Sequence, residues 1–270
     1  MKEKYIVKAI FTDIDGTLLN HDHEVTELTR TAIHKITENN ILFTLASSRS
    51  PAGIEPIIRK NKFNCCMIAF GGALILDEQR NILYEKGMSV STAGNVISYL
   101  EKNCPDVTWN IYTADRWFVK DKEDPRVQHE EQVVETFAQK GTIKDLDPNT
   151  SVDKILCMCP PEKLSETEQA VCQAFPALSV ARSSNTLLEI MQQGVNKAEA
   201  IKWLCAEKRI NMKHTMAFGD NYNDLEMLEM VEYGIAMGNA PKNIRKKAKL
   251  VTKDNEHDGI AYILESLLAE

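Results

Sequence analysis

The chain has 270 residues, 43% hydrophobic and 26% charged, with a formal net charge of −7. That balance suits a globular protein of one large or two modest domains; no run of about 18 apolar residues offers a membrane span, and the acidic excess argues against a nucleic-acid backbone as partner. The opening MKEKYIVKAI lacks the apolar region and cleavage site of a signal peptide, and seven cysteines without CxxC spacing read as buried, reduced thiols of a cytoplasmic protein.

The first third alternates strand and helix patterns. Ile6 to Phe11 supplies the apolar and β-branched residues of a strand. Asp13 and Asp15 follow it at i and i+2, and then Gly16. Asp-Gly alone is an ordinary turn signal, but it leaves Asp13 unexplained. If the backbone is still extended, both carboxylates lie on one side and repel each other unless a positive group intervenes. A helix is expected from about Thr26 to Asn39, with Leu28, Ala32, Ile33 and Ile36 at helical spacing. Next come the strand ILFTLA, a helix opened by Pro51, and CCMIAF ending in Gly71-Gly72. The alternation reads as parallel βαβ units of a doubly wound sheet.

The middle, residues 85–188, reads differently: a helix, the strand pair VTWNIYT and RWFVK, a polar helix, VDKILCMCP, another helix, and two strands turning at Ser183-Ser184-Asn185. This is an α+β unit inserted into a discontinuous core of residues 1–84 and 189–270. Trp109, Tyr112, Arg116 and Trp117 fall on its strand pair, where packing explains them better than substrate contact. The last third resumes the core style with HTMAFGD, NDLEMLEMV, YGIAMGN and a closing amphipathic helix, DGIAYILESLLA. Internal repeats and low-complexity segments are absent.

Open parallel sheets bind ligands beyond the carboxyl ends of their strands. Asp13 and Asp15 follow the first strand, Ser47, Ser48 and Arg49 the second, and Asp220, Asn223 and Asp224 the HTMAF strand. Oxygen ligands without Cys or His suit Mg²⁺, and an aspartate can serve as a covalent nucleophile. In GVNKAEAIKWL, Asn196 is placed to cap a helix, with Glu199 three residues on. Lys197 then occupies the first helical position, where the dipole disfavours a cation unless an anion binds there. The six histidines show no ligand spacing, and Gly71-Gly72 lacks a dinucleotide-binding pattern.

DIDGTLL, a hydroxyl-plus-Arg motif, a lysine opening a late helix and GDNYNDLEML together resemble the four motifs of the haloacid dehalogenase superfamily. The tail GIAMGNAPKNIRKKA…VTKDNEHDGIAYIL resembles its Cof-type phosphatases of subclass IIB. The resemblance implies a Rossmann-like doubly wound core with an inserted α/β cap, and an aspartyl-phosphate phosphatase acting on a small phosphorylated molecule with Mg²⁺. It implies that Asp13 is nucleophile and metal ligand, and that Asp15 binds metal through its carbonyl while its carboxylate moves protons. Ser47, Ser48, Lys197 and Asn223 would hold the phosphoryl group, Asp220 would bind metal, and Asp224 would orient the metal site or Lys197. Two positions depart from the family pattern: Ser48 replaces a glycine, implying a reshaped phosphate loop, and Gly71 replaces an asparagine. A sugar-phosphate mutase shares these motifs, and a non-catalytic phosphometabolite sensor would keep the fold without needing Asp13 or Asp15. Sugar phosphates, phosphorylated cofactors and nucleotides all fit this reading of the substrate.

Overall fold

The computed structural model of the chain describes residues 6–268. The chain folds into two compact units: Met1–Ser48 with Ile54–Leu83 and Asn196–Glu270, and Arg49–Gly53 with Tyr84–Val195. The return to the first unit at Asn196 falls later than the sequence pattern suggests, because a cut after residue 188 would split the strand Leu187–Gln192, which pairs on both sides within the second unit.

The first unit is built on β1 (Ala9–Thr12), wholly buried as a run of AIFT should be when covered on both faces. Helix α1 (Glu27–Glu38) starts where the Thr26 side chain accepts the Thr29 N–H and stops at Asn39. Its buried stripe is Thr29, Ala32, Ile33 and Ile36. Leu28, expected on that stripe, is 56% exposed, being one residue and therefore about 100° out of phase. β2 (Leu42–Ala46), α2 (Pro51–Asn61) and β3 (Cys66–Ala69) follow as expected. A 3₁₀ turn over Phe70–Gly72 then reverses the chain into β4 (Leu74–Leu76), antiparallel to β3, and β5 (Ile82–Glu85) forms the sheet edge.

From β1 the eight-stranded sheet grows in two directions. β2 and β3 lie on one side; on the other lie the strands Thr215–Gly219, Tyr233–Ala236 and Leu250–Val251, all parallel. The order reverses at β1, so β1, β2 and Thr215–Gly219 are immediate neighbours although they come from opposite ends of the chain. Their carboxyl ends therefore bring Asp13, Ser47 and Asp220 to one edge, the position at which doubly wound sheets bind ligands.

The second unit is a six-stranded sheet in the order Leu178–Arg182, Leu187–Gln192, Lys154–Met158, Thr108–Tyr112, Trp117–Val119, Gln139–Lys140, antiparallel except for the last pair. The helices Val90–Asn103 and Leu164–Ala174 supply Val96, Ile97, Leu100 and Val171 to a core shared with Trp109, Ile111 and Ile155. Trp109, Tyr112 and Trp117 are buried, the last two with stacked rings 5.2 Å apart, so packing accounts for them. Asp153 is fully buried in this unit, and neither carboxyl oxygen has a hydrogen-bond partner. All seven cysteines are free thiols, five of them buried.

Candidate functional site

Asp13 lies one residue beyond β1, its backbone N–H still bonded to Phe218 O at 3.0 Å. Its side chain is buried. Asp15 is exposed, and the strand ends at Thr12 rather than continuing through it; Asp15 instead forms an isolated parallel bridge with Leu19. Asp13 and Asp15 thus differ in burial, and the regular strand does not run through both. The carboxylates that repel Asp13 are those of other residues. Burial, then Asp224 and Asp220, push the Asp13 carboxyl well above the usual carboxylate range, against the pull of Lys197.

Three aspartates converge here: carboxylate oxygens of Asp13, Asp220 and Asp224 lie within 4.8 Å of one another. Asp220 follows its strand directly, and its Oδ1 accepts the Thr17 hydroxyl at 2.8 Å. Burial, foremost, and the charges of Asp224 and Asp15 push its carboxyl up to about 6, although the Thr17 bond and Lys197 oppose this. Asp224 is fully buried, and its Oδ2 accepts the backbone N–H groups of Asp220 at 3.0 Å and Asn221 at 2.9 Å. That loop is folded around its own carboxylate. Gly16 is required beside it: its φ is +79°, and a Cβ there would stand 2.6 Å from Asp220 Oδ2.

Lys197 opens the helix Lys197–Glu207, capped as expected by Asn196, whose Oδ1 accepts the Glu199 N–H at 2.7 Å. The turn after β3 reaches this helix end through Gly72, where φ is +118° and a Cβ would lie 2.3 Å from Asn196 O. The side chain of Lys197 is 1% exposed, and its Nζ donates to Asp13 Oδ1 at 2.5 Å and Asp224 Oδ1 at 2.6 Å. The expected conflict between this lysine and the helix dipole is therefore resolved inside the protein by two carboxylates. Burial disfavours the ammonium, but Asp13 and Asp224 outweigh it and hold Lys197 above its ordinary value.

The second strand contributes Ser47, buried, and Ser48, half-buried. Ser48 does not adopt a positive φ, so its backbone does not need the glycine usual in the family. Its Oγ accepts from Asn223 Nδ2 at 3.4 Å, linking the β2 loop to the Asp220 loop. All eight residues expected at the site, Asp13, Asp15, Ser47, Ser48, Lys197, Asp220, Asn223 and Asp224, belong to the first unit. Two further residues join the site: Thr17, whose hydroxyl meets Asp220, and Asn239, whose Nδ2 reaches Gly16 O at 2.8 Å. Both stand inside stretches that carried the family resemblance, DIDGTLL and GIAMGNAPKN, which was the available signal.

The residues fit a hard divalent cation. The donor set is all oxygen, the three carboxylates outnumber the one ammonium, and two of the three are shifted in the direction that uncompensated negative charge produces.

Comparison with known proteins identifies the family. Residues 10–264 match the profile of the haloacid dehalogenase-like hydrolases. A Haemophilus influenzae protein carrying a provisional phosphatase name is 34% identical over 267 residues, spanning 97% of this chain and 99% of its own. The HMP-PP phosphatase of Yersinia enterocolitica is 27% identical over 262 residues, covering 95% of this chain and 94% of its own. The crystal structure of a haloacid dehalogenase-like hydrolase from Bacteroides thetaiotaomicron superposes with a TM-score of 0.88 at 26% identity, covering 97% of this chain and 99% of that one. The sheet order, the aspartates at the strand ends and a match over nearly the whole length lead to one conclusion: this chain belongs to the haloacid dehalogenase-like hydrolases.

Proposed function

We propose that this protein is a Mg²⁺-dependent phosphatase that hydrolyses a small phosphomonoester, a sugar phosphate or phosphorylated cofactor, through an aspartyl-phosphate on Asp13. The observation that carries this reading is the position of Asp13, at the end of β1 with Lys197 against it and Asp220 and Asp224 within 4.8 Å. Binding alone would need no such nucleophile, which favours an enzyme over a phosphometabolite sensor.

In the first half-reaction an Asp13 carboxylate oxygen attacks phosphorus, and the ester oxygen leaves with a proton from the Asp15 carboxyl. In the second, Asp15 takes a proton from water, the hydroxide attacks the phosphoryl group, and inorganic phosphate departs, restoring Asp13. The exposure of Asp15 suits a group that must meet both leaving group and water. Ser47, Ser48 and Asn223 would hold phosphoryl oxygens, and Lys197 would offset their charge as it offsets Asp13. Asp224 would keep Lys197 in place. Asp13, Asp220 and the Asp15 carbonyl would hold Mg²⁺, which supplies charge neutralisation for the transferring phosphoryl group. A cytoplasmic setting suits the seven unpaired thiols.

Phosphate release measured over a panel of sugar phosphates, phosphorylated cofactors and nucleotides, with Mg²⁺ and after chelation, tests the proposal. Metal-dependent release from at least one class is expected. Isomerisation of a sugar phosphate without net release would replace it with a mutase, and binding without turnover would replace it with a sensor.

A further inference from the structure

The segment GIAMGNAPKN places Asn239 just after the strand Tyr233–Ala236, and the reaction above gives this residue no task. Its side-chain amide touches three separate parts of the first unit. Nδ2 donates to Gly16 O at 2.8 Å and also faces Asp220 Oδ2 at 3.5 Å. Oδ1 accepts the Asn255 N–H at 3.3 Å. The orientation of the amide follows from these partners: an oxygen must face the Asn255 donor, so the two hydrogens of Nδ2 face the two acceptors.

The consequence for Asp220 is specific. Thr17 donates to Oδ1 at 2.8 Å, and Asn239 stands at Oδ2, so each carboxylate oxygen has its own donor and the plane of the group is set from both sides. The hold on Gly16 O matters as much. The loop after Asp13 runs close to Asp220 Oδ2 at Gly16, and the bond to the Gly16 carbonyl ties it to the same amide that faces that oxygen. Asn255 reinforces the same loop further along, with Nδ2 donating to Leu19 O at 2.9 Å.

We propose that Asn239 is a positioning residue for the cation site: it fixes Asp220 and the Asp13–Gly16 loop in their mutual geometry before a divalent cation binds. This rests on the reading of the aspartate cluster as a Mg²⁺ site. Asn239 itself is no metal ligand; it acts through the carboxylate and the carbonyl it holds. Outer residues of this kind typically alter metal affinity ten- to a hundredfold when removed.

Isothermal titration of the metal-free protein with MgCl₂, alongside apo melting curves, tests it. Asn239→Ala is expected to weaken Mg²⁺ binding at least about tenfold while leaving the apo melting temperature close to wild type, since the side chain is exposed. Asn239→Ser, too short to reach either acceptor, is expected to do the same and covers the case in which the alanine variant folds poorly. In turnover, the KM for Mg²⁺ rises while kcat at saturating Mg²⁺ is largely kept. Asn255→Ala cuts the bond to Leu19 but leaves the donors of Asn239 in place, so its Mg²⁺ affinity stays at the wild-type value. Wild-type Mg²⁺ affinity in both Asn239 variants overturns the proposal, as does an equal loss in Asn255→Ala, which would mean that loop integrity alone is read out. Failure of the wild-type protein to bind Mg²⁺ at all overturns the metal reading and this inference with it.

Discussion

Lys197 Nζ lies 2.5 Å from Asp13 Oδ1, a contact between residues 184 positions apart that are both buried. Asp224 accepts from the same ammonium at 2.6 Å, so one cation is shared by two carboxylates out of reach of water. A buried ion pair contributes little over an apolar replacement, yet removing one partner leaves the other charged and desolvated.

Lys197→Met is accordingly expected to destabilise the metal-free protein by about 3–5 kcal/mol at neutral pH. The loss shrinks on acidification, because Asp13, already shifted upward by burial, then takes up a proton and no longer needs the ammonium. Chemical denaturation of the apo protein at two pH values measures this; unchanged stability at neutral pH would show that the ion pair is not formed in solution.

Asp13→Asn should retain the fold and lose turnover. The amide cannot attack phosphorus, while one of the charges repelling Asp224 and Asp220 disappears, so the apo melting temperature holds or rises. A residual kcat above about one hundredth of wild type, less than about 3 kcal/mol of barrier, would contradict its role as nucleophile.

Mg²⁺ should stabilise the wild-type protein by about 2.7 kcal/mol when present at a hundred times its dissociation constant. Ca²⁺ should also bind the aspartates but slow the reaction, since it accepts more ligands in looser geometry and displaces the reacting groups. Thermal shift and phosphate release, run side by side with each cation, separate binding from catalysis. Equal rates with both metals would argue against a geometrically strict site.

Gly72→Ala should disturb the site from a distance. A β-carbon would stand 2.3 Å from Asn196 O on a backbone with φ of +118°, so the turn after β3 and the Lys197 helix must separate. A destabilisation of at least about 2 kcal/mol, together with reduced kcat, is expected from urea titration and steady-state kinetics. Wild-type values in both would mean that the helix end is free to shift.

Asp153 gives the second unit a pH dependence. Burial, then the charges of Glu85 and Asp115, push its carboxyl up to about 8 from the ordinary 3.8. Between those values the folded protein keeps a proton that the unfolded chain has released. Its contribution to stability is therefore fully present only below the ordinary 3.8 and is lost progressively as pH rises to about 8. Asp153→Asn removes that dependence and should exceed wild type by a few kcal/mol above pH 8, on the order expected from a shift of this size. Melting curves of the two proteins from pH 5 to 9 should diverge upward; parallel traces would show that Asp153 ionises freely.

The chemistry-bearing residues were legible because they follow apolar runs directly. AIFT, LFTLA and TMAFG declare themselves as buried strands, and in a parallel sheet whatever follows such a run stands at the ligand-binding edge. Local capping was equally readable: Thr26 and Asn196 accept the N–H groups their positions predict. What no local pattern contains is which strands become neighbours. Strand order alone brought Lys197 onto Asp13 and Asp224, turning a lysine that looked unfavourably placed at a helix start into a shared counter-ion. β1 ends at Thr12, and of the two aspartates beyond it Asp13 is buried and Asp15 exposed, a difference that their i, i+2 spacing does not contain. Thr17 and Asn239 acquired partners only when loops from opposite ends of the chain met at Asp220, and Asp153 acquired its unsatisfied burial from the sheet packed around it. Spacing along the chain determines secondary structure and caps because those interactions span a few residues; charge pairing, desolvation and the aim of a carboxylate depend on distances that exist only after the sheet has assembled.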